Sequence, residues 1–331
     1  MGRKRNKGNE WMPKGVFLRA SGYYWKPGGS TQKIAPPTAT KGEVWLAYEK
    51  QVAAKNTRLT FKQLWDKFIN SPDFANLAIR TQRDYAAHAT HLHKVFGAAA
   101  VDDIKPELVR RYMDARGKKS TVQANHEHSS MSRVYRWGYQ RGYVKMNPCT
   151  GVDKFPKPQR DRYITDEEYA AIYDVAPTAL RVAMEIAYLC AARVSDVIKM
   201  TWDQVMEQGI YIQQGKTGVK QIKSWTDRLR EAIALAKTLH GKNNRVIKSV
   251  TGLPYSYNGF NDVWSKARRG AGEKLGYVLD CTFHDLKAKG ISDYEGSSRD
   301  KQLFSGHKTE SQILVYDRRV KVTPTLNKKR I

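Results

Sequence analysis

Three threonines that are followed three residues later by glutamine or glutamate, and then by apolar residues at helical spacing, mark predicted helix starts in this chain. The pairs are Thr60 with Gln63, Thr165 with Glu168 and Thr309 with Gln312. This is the capping-box pattern, in which two side chains satisfy the free N–H groups of a helix start, so each pair predicts where a helix begins. After the first, Phe61, Leu64, Trp65, Phe68 and Ile69 in "TRLTFKQLWDKFIN" fall on one helical face. Further stripes follow in "IRTQRDYAAHATHLHKVFG" (Tyr85, Leu92, Val95, Phe96), in "KPELVRRYMDAR" and in "QANHEHSSMSRVYRWGYQRG" (Met131, Val134, Tyr135, Trp137). Residues 57–150 are therefore expected to form an all-helical unit.

The flanks read differently. Residues 1–56 carry short β-prone runs, "GVFLR", "GYYWK" and "TQKIA", separated by glycine and proline, which predict a small three-stranded sheet. A helical connector follows in "TKGEVWLAYEKQVAAK". Residues 151–163 lie in "NPCTGVDKFPKPQRDRY", rich in proline, lysine and arginine with no apolar period, and read as a linker. The unit 164–331 opens with the Thr165 helix and continues into "TALRVAMEIAYLC", where Leu180, Ala183, Met184, Ala187 and Tyr188 share a face. "GIYIQQGKTGVKQIKSW" then places two β-prone arms around a Lys-Thr-Gly turn, the pattern of a hairpin. The expected fold class is α+β and mainly α: a small N-terminal sheet, a helical domain and a mixed, mainly helical third domain with a small sheet.

Charge narrows the function. The 331 residues hold 58 Lys plus Arg against 32 Asp plus Glu, a net charge of +26, while 40% hydrophobic content allows ordinary cores. A folded body with such an excess suits a polyanion, since neutralising phosphates releases counterions, and nucleic acid is the leading partner. No apolar run reaches the length of a membrane span and the N-terminus lacks a secretory pattern, so a cytoplasmic protein with no membrane partner is expected. Cys149, Cys190 and Cys281 show no paired spacing. His88, His91, His93, His126 and His128 lack carboxylate or cysteine company, and a solvated helix face is expected for them rather than a metal.

The third unit offers a set of residues suited to a phosphodiester. "AARVSDVIKM" puts Arg193 before a helix that Ser195 could cap, with Asp196 next to it. "QGKTG" sets Lys216 at the hairpin tip. "CTFHDLKAKGISD" starts a helix at Thr282 and places His284 and Lys287 three apart on one face. His307 follows Gly306, and Tyr316 lies on the helix expected after Thr309. Singly, each has an ordinary structural reading: a surface ion pair for Arg193 with Asp196, a turn lysine, a capping histidine.

In this order, however, Arg193 in "AARVSD", Lys216 in "GKTG", His284 and Lys287 in "FHDLK", His307 in "GHK" and Tyr316 resemble the tyrosine recombinase (phage integrase) family. "GYYWK" looks like the arm-binding sheet of lambda-like integrases, and residues 57–150 resemble their core-binding domain. The resemblance implies that Tyr316 attacks DNA to form a 3′-phosphotyrosyl bond, with Lys216 as general acid, His284 as base or positioning group, Arg193, Lys287 and His307 around the phosphate, and Asp196 in support. It implies no metal and no other cofactor. Arg3, Lys4, Arg5, Lys7, Arg19 and Lys26 are the expected contacts to arm-type DNA. Double-stranded DNA at core-type and arm-type sites, a homotetramer acting through a Holliday junction, a host DNA-bending protein and an excision directionality factor are the implied partners. One position departs: Lys287 stands where the family carries arginine, so charge is kept while the planar fork that grips two phosphate oxygens is lost. A non-catalytic DNA-binding regulator, a type IB topoisomerase-like enzyme and a resolvase without arm binding are the alternatives.

Overall fold

The computed structural model describes residues 8–27, 30–56, 58–320 and 325. The chain divides into two compact units, Met1–Lys157 and Pro158–Ile331. The division falls inside the proline- and lysine-rich stretch expected to be a linker. No described helix is long and apolar enough to cross a membrane.

The first unit begins with an antiparallel sheet of β1 (Val16–Arg19), β2 (Gly22–Trp25) and β3 (Gln32–Ala35), in that order. Helix α1 (Lys41–Asn56) covers it, and Val16, Tyr23, Trp25 and Ala35 close a small core with Val44. A second core belongs to α2 (Phe61–Ile69), the short α3 (Pro72–Ala75), α4 (Ile79–Phe96), α5 (Pro106–Gly117) and α6 (Thr121–Tyr139). The capping box of Thr60 and Gln63 forms, and Phe61, Leu64, Trp65 and Phe68 are buried, with Ile69 left exposed at the last position. On α4 the stripe is Tyr85, His88, Leu92 and Phe96, whereas Val95 is exposed. A strict i, i+3/i+4 progression from Tyr85 passes through residues 88, 92 and 96 and leaves position 95 turned to solvent. The expected solvated histidine face holds for His91 and His126 only. His88 is buried with Nδ1 2.8 Å from Ser130 Oγ, His128 is buried, and His93 packs edge-on against Phe61 and Trp65. Among the described residues no three His, Cys, Asp or Glu side chains gather.

The second unit is built around α8 (Thr178–Leu189), buried on nearly every side, as its dense apolar run requires. It follows α7 (Asp166–Val175), whose Thr165–Glu168 capping box forms. Next come α9 (Val194–Lys199), the antiparallel sheet β4 (Val205–Met206), β5 (Gly209–Gln213) and β6 (Lys220–Ser224), then α10 (Asp227–Ala236), α11 (Tyr257–Leu275), α12 (Phe283–Asp293) and α13 (Ser298–Ser305). The hairpin of β5 and β6 pairs Gly209 with Ser224 through Gln213 with Lys220 and leaves Lys216 on the turn. The two-residue β4 has no sequence signal of its own. Helices α10 and α12 both pack on α8. A side chain at Gly290 of α12 would run into the Tyr188 carbonyl, so glycine there permits the close approach of α12 to α8.

Two local expectations are corrected. Arg193, not Ser195, is the N-cap residue of α9, and no side-chain cap bond forms there. The segment after Thr309 is a 3-10 turn, Glu310–Val315, with no side-chain cap bond from Thr309, and Tyr316 closes it rather than riding on an α-helix. Only Ile313 is buried in that run while Leu314 and Val315 are exposed, so one apolar anchor is too few to hold a longer helix.

Candidate active site

The site collects at the α12 end that faces the turn after α8. Thr282 begins α12, and both its N–H and its hydroxyl donate to Asp285 Oδ2 at 2.8 Å. That fixes the first turn and sets His284 and Lys287 on a common face. Lys287 is fully buried and reaches past Tyr316 to donate to the Ala191 carbonyl at 2.5 Å and, more weakly, to the Ser305 carbonyl at 3.5 Å. Ala191 has φ +48, a left-handed conformation that costs an L-residue roughly 1–2 kcal/mol. The turn it makes brings Arg193 to the site two residues later. Arg193 Nη1 donates to Gln214 Oε1 at 2.5 Å.

Tyr316 is half-buried. Its Oη lies 3.2 Å from His284 Nε2, and its ring lies 4.7 Å, centroid to centroid, from the tilted ring of His307. Ser292 Oγ donates to the Tyr316 carbonyl at 3.0 Å and accepts from Arg318 N at 2.7 Å. His307 follows Gly306, which ends α13 at φ +66 with its backbone against Gln214 and Gln221, leaving no room for a side chain. Five of the expected residues, Arg193, His284, Lys287, His307 and Tyr316, thus come together. Lys216 stays exposed on the hairpin turn, outside this cluster. Asp196 touches the site indirectly, Oδ1 accepting from Gly215 N at 3.2 Å and Ser195 Oγ at 3.3 Å, so it ties down the base of the turn that carries Lys216.

Burial and like charge set the protonation states. His284 is pushed down to about 4 by burial and then by the Lys287 charge. His307 is also lowered to about 4, by burial and then by Lys287, Arg193 and His284. Both rings are therefore neutral near pH 7, which leaves His284 able to accept a proton. Lys287 falls to about 7, through burial first and then the nearby Arg193 and Lys223. Lys289 belongs elsewhere: buried, it is pulled upward by Asp166 at 2.5 Å, Tyr163 at 3.0 Å and Asp293 at 3.0 Å, which outweigh its desolvation.

Three contributors escaped sequence reasoning. Gln214 is buried; its Oε1 takes the Arg193 and Thr217 donors while Nε2 donates to the Ser305 carbonyl at 2.8 Å. Ser305 Oγ lies 2.6 Å from His307 Nδ1. Asp285 is buried beneath the site, gripped by Arg160 of the expected linker and by Arg318 just after Tyr316. Position three of a capped helix was a signal for Asp285; nothing local marked Gln214 or Ser305.

Of the expected arm contacts, Arg3, Lys4, Arg5 and Lys7 lie outside the described residues. Arg19 and Lys26 are exposed on the N-terminal sheet, with the Arg19 guanidinium over the stacked rings of Phe17 and Tyr24.

Known proteins resemble this chain. Residues 162–320 match the family described as the Phage integrase family. The integrases of Escherichia phage HK022 and Escherichia phage lambda are 26% and 25% identical to the chain, each match covering 96% of both sequences. In fold, the chain is similar to a lambda integrase dimer bound to a COC′ core site (TM-score 0.71, 21% identity, 98% of this chain and 100% of that one). It is similar too to the Tn1549 transposon integrase in complex with circular intermediate DNA (TM-score 0.66, 13% identity, 81% and 97%). With the tyrosine, two histidines, arginine and lysine drawn into one basic cluster, these matches place the chain in the phage integrase family of tyrosine recombinases.

Proposed function

We propose that this site-specific recombinase cuts and rejoins DNA with Tyr316 as nucleophile. The observation that carries the residue assignment is the 3.2 Å approach of Tyr316 Oη to a neutral His284 Nε2 inside a ring of Arg193, Lys287 and His307. A phenol ionises near pH 10 and is a weak nucleophile at neutral pH, so it needs a base beside it and positive charge around its target.

In this scheme the Tyr316 oxygen attacks the scissile phosphorus while its proton passes to His284. Arg193, Lys287 and His307 surround the nonbridging oxygens and stabilise the five-coordinate transition state. The bond to the 5′ oxygen breaks, Lys216 protonates that oxygen, and a 3′-phosphotyrosyl link remains. Because the link preserves the phosphodiester energy, a 5′-hydroxyl from a partner strand reverses the step. The scheme calls on neither metal nor nucleotide cofactor. Lys216 enters by movement of its turn toward the DNA, consistent with its exposed position.

The division of labour follows the sequence. Residues 1–56 bind arm-type DNA, with Arg19 and Lys26 on the sheet and Arg3, Lys4, Arg5 and Lys7 ahead of it; residues 57–150 hold the core site; residues 164–331 carry out strand transfer. Lambda integrase has been solved as a dimer on a core site and as a tetramer bound to a Holliday junction, which supports a homotetramer here. A mobile element is integrated and excised at these sites in the bacterial cytoplasm, aided by a host DNA-bending protein and a directionality factor. The β-prone run "VKVTPTL", which could add to a neighbouring subunit's sheet, lies almost wholly outside the described residues.

A nicked duplex taken from beside the gene tests the assignment. The wild-type protein is expected to leave a denaturant-resistant adduct that Tyr316→Phe abolishes; an adduct that survives the substitution refutes Tyr316 as nucleophile.

A further inference from the structure

His307 is held by a residue that no expectation included. Ser305 is buried at the last position of α13, with Oγ 2.7 Å from the Lys301 carbonyl four residues back and 2.6 Å from His307 Nδ1. A hydroxyl has one proton to give and lone pairs to receive. The bond to the i−4 carbonyl is the habitual one for serine in a helix, and it turns a lone pair toward Nδ1. Nδ1 must then carry the hydrogen, and the ring of a neutral His307 is bare at Nε2. That nitrogen is buried and has no hydrogen-bond partner among the described residues. Lys287 and His284 from α12, Arg193 from the start of α9 and Tyr316 all crowd the same ring.

A nonbridging phosphate oxygen has no hydrogen to donate, so a bare Nε2 cannot serve it. It can do so only after taking a proton, and a protonated imidazole needs an acceptor at Nδ1 as well. From this we infer that Ser305 is a positioning residue for strand cleavage: its oxygen accepts from Nδ1–H, so that Nε2 takes a proton from solvent as negative charge builds on the phosphorane and donates it as a hydrogen bond to a nonbridging oxygen. The relay runs from phosphate to imidazolium to serine to the Lys301 carbonyl, and every hydrogen in it has an acceptor. Gln214, which donates to the Ser305 carbonyl and accepts from Arg193, holds the serine backbone and the arginine in one register.

The inference rests on the proposed roles of Tyr316 and His307, and its test separates the two. Single-turnover adduct formation on a nicked duplex is measured at saturating DNA for wild type, Ser305→Ala and Ser305→Thr, together with DNA affinity and the imidazole ¹⁵N shifts of His307 in the free protein. The alanine variant is expected to fold and to bind DNA within about twofold of wild type, yet to cleave roughly ten- to a hundredfold more slowly, the loss typical of a charge-assisted hydrogen bond made in the transition state. Threonine, which keeps the hydroxyl, restores most of the rate. The ¹⁵N shifts place the hydrogen on Nδ1 in wild type and move it toward Nε2 in Ser305→Ala. Equal cleavage by wild type and Ser305→Ala overturns the inference while leaving the nucleophile assignment intact, as does an Nε2-protonated ring in the wild-type protein. A slow alanine variant whose shifts match wild type makes Ser305 a packing residue only, and a wild type that forms no adduct overturns both readings.

Discussion

In its proposed role at the phosphate, Lys287 is expected to make cleavage sensitive to pH in a way that an arginine would not. Its ammonium is fully buried beside Arg193 and falls from the ordinary 10.5 to about 7. At that value about half the molecules carry the charge at pH 7, about one tenth at pH 8 and about one hundredth at pH 9. If the charged form is required at the phosphate, the second-order rate of adduct formation, which reports groups of the free protein, falls about tenfold per pH unit above 7. Arginine stays protonated throughout this range, so Lys287→Arg should flatten that limb even if crowding in a filled pocket lowers its rate at pH 7. The assay is rapid-quench adduct formation on a nicked duplex at subsaturating DNA from pH 6 to 9.5, with Tyr316→Phe as the blank. A wild-type rate that stays level from pH 7 to 9, or an arginine variant with the same falling limb, would refute the reasoning. Activity appearing in the arginine variant from an inert wild type would instead favour a DNA-binding regulator descended from a recombinase.

Two further outcomes follow from the same charges. Lys287→Met should abolish the adduct yet raise stability near neutral pH by about 2 kcal/mol. The buried lysine binds fewer protons folded than unfolded between about pH 7 and 10.5, so its penalty on folding grows as pH falls through that window and is full below it. Removing it is a gain partly offset by losing the bond to the Ala191 carbonyl, and a lowered melting temperature at pH 7 would contradict it. Asp285→Asn should cost about 3 kcal/mol, because Arg160 and the buried Arg318 would lose their carboxylate, with the partial exposure of Arg160 trimming the figure. In calorimetry that is a fall of roughly 6–12 °C for a unit of this size. Burial opposes ionisation of Asp285, but Arg160, Thr282 and Arg318 outweigh it and leave the carboxyl below its ordinary value. Its contribution is therefore full above the unfolded value of about 4 and is lost as pH falls through the lower folded value, so the gap between variant and wild type should close in acid. A gap that persists below pH 3 would place the effect in packing.

The sequence by itself determined what depends on near neighbours along the chain. The capping boxes at Thr60 and Thr165, the apolar stripes of α2, α6 and α8, the hairpin around Lys216 and the three-residue offset that puts His284 beside Lys287 are consequences of helical and strand periods, which operate over a few residues. The same local logic failed at Thr309, where a matching capping pattern lacked the buried contacts to sustain a helix, and at Ser195, where the arginine took the cap position. The order of Arg193, His284, Lys287, His307 and Tyr316 was legible through family resemblance, but their mutual distances were not. Tertiary structure alone decided that Ala191 takes a left-handed turn and offers its carbonyl to Lys287, that Gln214 links Arg193 to Ser305, and that Asp285 gathers arginines from positions 160 and 318. Each of those contacts joins residues far apart in sequence, and burial then converts them into altered protonation. No period in the chain encodes such pairings, because they depend on how α8, α12, α13 and the hairpin pack against one another.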